Sequence, residues 1–105
     1  MHTSGDPHEA IRAFATSIQL DPSNAKAYLN RGMAYEQIHN VQQAFEDYSK
    51  AIQLMPQESK VYYIRGMLLW RYGMNSEAIN DLKAAAELGN RFAIDFLKKK
   101  KIVRE

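Results

Sequence analysis

Apolar and small residues recur at spacings of three and four along almost the whole chain. Tyr28, Gly32 and Tyr35 make one such row, and Ala44, Tyr48, Ala51 and Ile52 make another. This spacing keeps side chains on one face of a 3.6-residue turn, so each row predicts an amphipathic helix. No stretch alternates apolar with polar residues as a strand would. Helix starts are marked by Asp6-Pro7 with Glu9 and by Asn40 with Gln43, which offer an N-cap and a polar third position. Met74 stands where a third cap is due, so the pattern places that helix start at Asn75 or Ser76. Pro22, Pro56 and Gly89-Asn90 mark helix ends, because Pro disfavours a helical residue before it and Gly tolerates a left-handed turn. The pattern predicts helices over residues 7–20, 25–38, 41–54, 59–72, 75–88 and 91–102.

Displacing the chain on itself by 34 residues brings chemically matched positions together along most of its length. In the first half of the unit Lys26 meets Lys60, Tyr28 meets Tyr62, and Arg31-Gly32-Met33 meets Arg65-Gly66-Met67. In the second half the matches come in threes: Ala10, Ala44 and Ala78; Ile11, Phe45 and Ile79; Phe14, Tyr48 and Leu82; Ser17, Ala51 and Ala85; Leu20, Leu54 and Leu88. Small residues repeated at one place have a physical reading. Where two helices cross closely, Gly or Ala leaves room for a large side chain from the neighbour.

These residues resemble the tetratricopeptide repeat, over about residues 6 to 90. Carrying the resemblance are Tyr28 and Tyr62, Gly32 and Gly66, Tyr35 and Leu69, the three alanines, the three large apolar residues, the second small place and the closing prolines. Arg31 and Arg65 depart from it by replacing a usual Leu, Asn90 by replacing the last Pro, and Ser17 by replacing an Ala. The resemblance implies an all-α fold, a right-handed superhelix (solenoid) of antiparallel helix pairs with about two and a half units and a C-terminal capping helix. Residues 1–5 are read as a disordered tail or expression remnant and given no functional weight, and 6–105 as one domain. Residues 6–24 are the second helix of a truncated repeat, 25–58 and 59–90 are full repeats, and 91–105 are the capping helix and basic tail. Phe92, Ile94, Phe96 and Leu97 are expected to pack on residues 75–88. The N-terminal edge, with Ile11, Phe14 and Ile18, reads as uncapped, as in an excised piece of a longer protein or a chain that pairs through that edge.

Charge adds one asymmetry. Residues 98–105 hold five of the 14 basic groups and one of the 12 acidic ones, which leaves nine basic against eleven acidic in the body. Lys98 to Lys101 are read as a solubilising end, with nucleic acid or an acidic membrane surface as the rival reading. No apolar run approaches a membrane span, and the first ten residues lack the basic-then-apolar segment of a secretory signal, so a cytoplasmic location is expected.

The chain carries few residues arranged for chemistry. There is no Cys, which excludes disulfides, thiol nucleophiles and Cys-based zinc sites. His2, His8 and His39 share no helical face, the five glycines are isolated, and no Ser sits in a nucleophile elbow. Glu46, Asp47 and the other carboxylates are expected on wet faces. Neither an enzyme nor a cofactor is implied.

What remains is a surface. In stacked helix pairs the first helices line an inner, concave face on which a peptide or partner helix lies. The inward positions are Lys26, Leu29, Asn30, Met33 and Gln37, and one repeat on Lys60, Tyr63, Ile64, Met67 and Arg71, with Trp70 beside them. Met33 and Met67 either fill core gaps or touch a ligand. Tyr63 and Trp70 either close a helix seam or form a binding platform. Lys26 and Lys60 are solvated charges or steer an acidic segment. Members of the family that clamp a C-terminal carboxylate place Asn and Lys where Asn30 and Lys60 stand, but Ile64 occupies the place of the clamp Arg and Arg65 is turned by about 100°. A complete clamp is not expected. The functional expectation is a protein-interaction scaffold for a peptide or helix, with self-association through the N-terminal edge as a further alternative. The partner and pathway stay unnamed.

Overall fold

The computed structural model describes residues 6–102 of the chain. They form six helices: α1 (Pro7–Leu20), α2 (Ala25–Gln37), α3 (Val41–Leu54), α4 (Ser59–Arg71), α5 (Asn75–Glu87) and α6 (Arg91–Lys99). No strand occurs among the described residues. The expected tail 1–5 and the end of the basic tail, 103–105, lie outside them.

Each helix starts where the periodicity places it, and side-chain caps explain four of the starts. Asp6, Asn24, Asn40 and Asn90 each accept a hydrogen bond from a backbone N–H of the first turn, at 3.0 Å from His8, 3.1 Å from Ala27, 3.3 Å from Gln43 and 2.9 Å from Ala93. The capping by Asn24 and Asn90 is additional to the caps read from the sequence. α5 starts at Asn75 behind Met74, which offers no side-chain bond.

The ends of four helices share one device. At His39, Gly73, Gly89 and Lys101 the backbone turns into the left-handed region, with φ of 62°, 85°, 94° and 59°. The next amide then donates back into the helix: Asn40 to Tyr35 at 2.9 Å, Met74 to Leu69 at 2.9 Å, Asn90 to Ala85 at 3.0 Å and Ile102 to Leu97 at 2.8 Å. This closure corrects the expected end of the last helix. It stops at Lys99, because Lys101 turns the chain and Ile102 folds back to pack against the core.

The chain divides into two compact units, Met1–Leu54 and Met55–Glu105. In the first, α2 packs against both α1 and α3. Ala25, Ala27, Leu29, Ala34, Ala44, Tyr48 and Ala51 are buried there. Leu29 is a correction: it was expected to point toward a ligand, and it lies in the core at 5% exposure. In the second unit, α5 packs against α4 and α6, and Leu82, Ala85, Ala86, Ala93 and Leu97 form a continuous apolar cluster.

The helix crossings depend on the two repeated glycines. A Cβ at Gly32 would lie 2.6 Å from Tyr48 Cε1, and one at Gly66 would lie 3.0 Å from Leu82 Cγ. No side chain fits at the first crossing without displacing the Tyr48 ring, so the glycine is what allows the ring its place.

Candidate protein-binding faces

Arg31 and Arg65 prepare the two first helices for any role they have. Arg31 Nε and Nη2 donate to Asp47 Oδ2 and Oδ1 at 2.8 Å each, and Arg65 donates to Asp81 at 2.7 and 2.8 Å. Both are two-pronged pairs in which the planar fork matches the carboxylate. Asp47 and Asp81 are buried, at 3% and 7% exposure. One expectation is thereby corrected: Asp47 and Asp81 do not lie on wet faces, and each is held inside its helix pair by an arginine. Arg31 also sits 5.8 Å from the ring centres of both Tyr28 and Tyr35, and Tyr48 Oη donates to Glu36 at 2.7 Å. Its hydrogen bonds to Asp47 hold the Arg31 proton even more firmly than usual, against the opposing cost of burial.

With Gly32 and Arg31 turned toward α3, another side of α2 is left to solvent. Lys26, Asn30, Met33 and Gln37 are all exposed there, Met33 at 43%. Spacings of four, three and four put them in one stripe along the helix. A cation, an amide, a polarisable apolar chain and a second amide follow one another without a mutual hydrogen bond.

The equivalent stripe on α4 differs. Lys60 and Arg71 are exposed at its two ends, while Tyr63, Met67 and Trp70 are half-buried. The Tyr63 ring lies 5.8 Å from that of Phe92, and Trp70 meets Phe96 edge-on at 5.1 Å and 83°. Lys100 Nζ is 5.7 Å from the Trp70 and Phe96 ring centres. Tyr63 and Met67 also pack against the cluster formed by α5 and α6. The aromatic row therefore has its neighbours on α6 and still keeps an outer edge. Phe92, Phe96 and Lys100 are members of this arrangement that the sequence reading did not connect to α4.

Among the described residues no group of His, Cys, Asp and Glu is placed to hold a metal ion. No helix among them is long and apolar enough to cross a membrane.

The repeat geometry can be set beside known proteins. A family model described as tetratricopeptide repeat matches residues 25–58, and a second, described as TPR repeat, matches residues 3–38. The second TPR domain of human RPAP3, in complex with an HSP70 peptide, is 33% identical with a TM-score of 0.79, over 90% of this chain and 81% of that one. The chain belongs to the tetratricopeptide repeat family. The first TPR of Spaghetti (RPAP3), bound to an HSP90 peptide, is 28% identical with a TM-score of 0.80, over 89% of this chain and 75% of that one. A MamA RS-1 ArsTM double mutant shares the fold at 24% identity and a TM-score of 0.76, over 78% of this chain. The tetratricopeptide chain spans 46% of that protein's length. No curated protein matches it.

Proposed function

We propose that this tetratricopeptide chain is a non-enzymatic interaction module that holds a peptide or helix of a partner protein along the exposed stripes of its first helices. The observation that carries the reading is the α2 stripe. Lys26, Asn30, Met33 and Gln37 take no part in the core, yet they present a charge, two amides and an apolar chain in line. An extended peptide needs that combination: amides to pair with its backbone and an apolar contact for affinity. On α4 the contribution comes from Lys60, Arg71 and the outer edges of Tyr63, Met67 and Trp70.

Related domains that bind HSP90 and HSP70 peptides support the class of ligand. They do not carry over the way the end of the peptide is read. Asn30 and Lys60 are exposed, but Ile64 carries no charge, and Arg65 is committed to Asp81. The ligand is therefore a segment whose terminal carboxylate is not the main anchor.

The test is a peptide selected from a displayed random library against the whole chain. Titrated against Asn30→Ala with Met33→Ala, it should lose about tenfold or more in affinity while the melting temperature stays unchanged, since both side chains are exposed. Undiminished affinity in the folded double variant would overturn the reading.

A further inference from the structure

The second unit is charged unlike the first. Residues 55–105 hold ten basic and six acidic groups, whereas residues 1–54 hold four basic and six acidic. The excess is also one-sided within the unit. Arg65 is committed to Asp81, and Glu77, Asp81 and Glu87 all stand on α5. α4 and α6, with the turn that closes α6, carry Lys60, Arg71, Arg91 and Lys98 to Lys101 against Asp95 alone, apart from Arg65. All of these cations are exposed.

Aromatic rings lie among them. Tyr63 meets Phe92, and Trp70 meets Phe96, so both pairs join α4 to α6 at ring separations of 5.8 and 5.1 Å. Tyr63 and Trp70 are seven residues apart, which sets the two pairs about 10 Å from each other along α4. Lys60 stands three residues before Tyr63, and Lys100 Nζ lies 5.7 Å from the Trp70 ring centre. On α6, Phe92, Phe96 and Lys99 follow at spacings of four and three, in one stripe. Phe92 is 69% exposed, the most exposed ring among the described residues, and takes no part in the core cluster.

We propose that this face binds a single-stranded nucleic acid, its phosphates drawn to Lys60, Lys99 and Lys100 and its bases stacked on Phe92 and Tyr63. Single strands are held by that combination: cations track the backbone, and flat rings receive unpaired bases whatever their sequence. A duplex keeps its bases stacked on each other and cannot use the rings. An acidic peptide satisfies the charge but not the rest. Its backbone seeks amides, and neither α4 nor α6 carries an Asn or Gln, whereas α2 presents Asn30 and Gln37. The nucleic-acid reading therefore stands independently of the peptide reading of α2.

The test titrates the whole chain with short single strands of uridine and of thymidine, followed by the anisotropy of a labelled strand and by Trp70 emission with an unlabelled one. Both strands should bind and should quench Trp70, the single tryptophan. Affinity should fall as salt rises, and Lys99→Gln with Lys100→Gln should lower the slope of log affinity against log salt by about 1.4. Phe92→Ala should weaken binding about tenfold or more, and since the ring is exposed the variant stays folded. Asn30→Ala with Met33→Ala should leave the affinity unchanged, so failure here is separable from failure of the peptide reading. Equal affinity for a short duplex or for a labelled poly-glutamate peptide overturns the proposal. Unchanged affinity in Phe92→Ala, or no binding of either strand, overturns it as well.

Discussion

Gly32 and Gly66 sit at equivalent places but tolerate a methyl group differently. The Cβ of Gly32→Ala would press at 2.6 Å on the rigid, fully buried Tyr48 ring, whose hydroxyl is tied to Glu36, whereas that of Gly66→Ala would meet Leu82 Cγ and Cδ2 at 3.0 and 3.1 Å, a tight contact that a few tenths of an ångström of movement relieves. Overpacking costs about 1–3 kcal/mol, and alanine returns about 1 kcal/mol of helix propensity. Gly32→Ala should therefore destabilise by about 1–2 kcal/mol and Gly66→Ala by less, as measured by urea midpoints. The paired arginines make a second prediction at this scale. Asp47→Ala strands a guanidinium that is one-fifth exposed, so the cost should be about 2–3 kcal/mol, below that of a wholly buried pair. Arg31→Met with Asp47→Leu should recover most of it in the same assay. The raised Arg31 pKa gives a contribution that is complete below the unfolded value and lost only when pH rises through the higher folded one. Titration of Arg31 should thus leave unfolding free energies flat from neutral to mildly alkaline pH. The glycines were legible in the sequence because their periodicity states their role. The ion pairs were legible only in part. The same 34-residue displacement that matches Arg31 with Arg65 also matches Asp47 with Asp81, but a helical face does not declare which of its charges will be covered.

Among the elements, α6 shows what a boundary prediction can miss. Its start follows from Asn90, but its end follows from a left-handed turn at Lys101, a residue with no propensity for it, made favourable by the return of Ile102 to Leu97 and the core. The five other helices end within a residue of expectation because Gly, Pro or a polar turn marks them. The packing of α6 on α4 was equally hidden, since periodicity assigns Tyr63 and Trp70 to a face without naming the neighbour. The Trp70, Phe96 and Lys100 cluster gives this element its own reporter. Phe96→Ala should destabilise the second unit by about 2 kcal/mol, since Phe96 is only half-buried, and should shift the emission of Trp70, the single tryptophan, to the red. Lys100→Ala should leave stability within about 0.5 kcal/mol, because an exposed cation over a ring is worth little.

At the scale of the molecule, each unit assembles its own core around one glycine crossing and one buried ion pair, and the stripe of the first helix keeps its Lys and Met in both copies while other places on that helix differ. Asn30 against Ile64 is the plainest case: the first is exposed on α2, the second half-buried on α4. The repeat thus keeps its glycine crossing and its ion pair while changing an exposed amide for a half-buried apolar residue on the first helix, a difference that a partner lying there would meet. The measurement that tests this most directly is a titration of the labelled chain with a selected peptide, followed amide by amide in nitrogen-proton NMR spectra. Shifts should concentrate on Lys26, Asn30, Met33 and Gln37, with a second group at Lys60, Tyr63, Met67, Trp70 and Arg71. Shifts confined to the outer faces of α3 and α5, or to Lys98 to Lys101, would contradict the account.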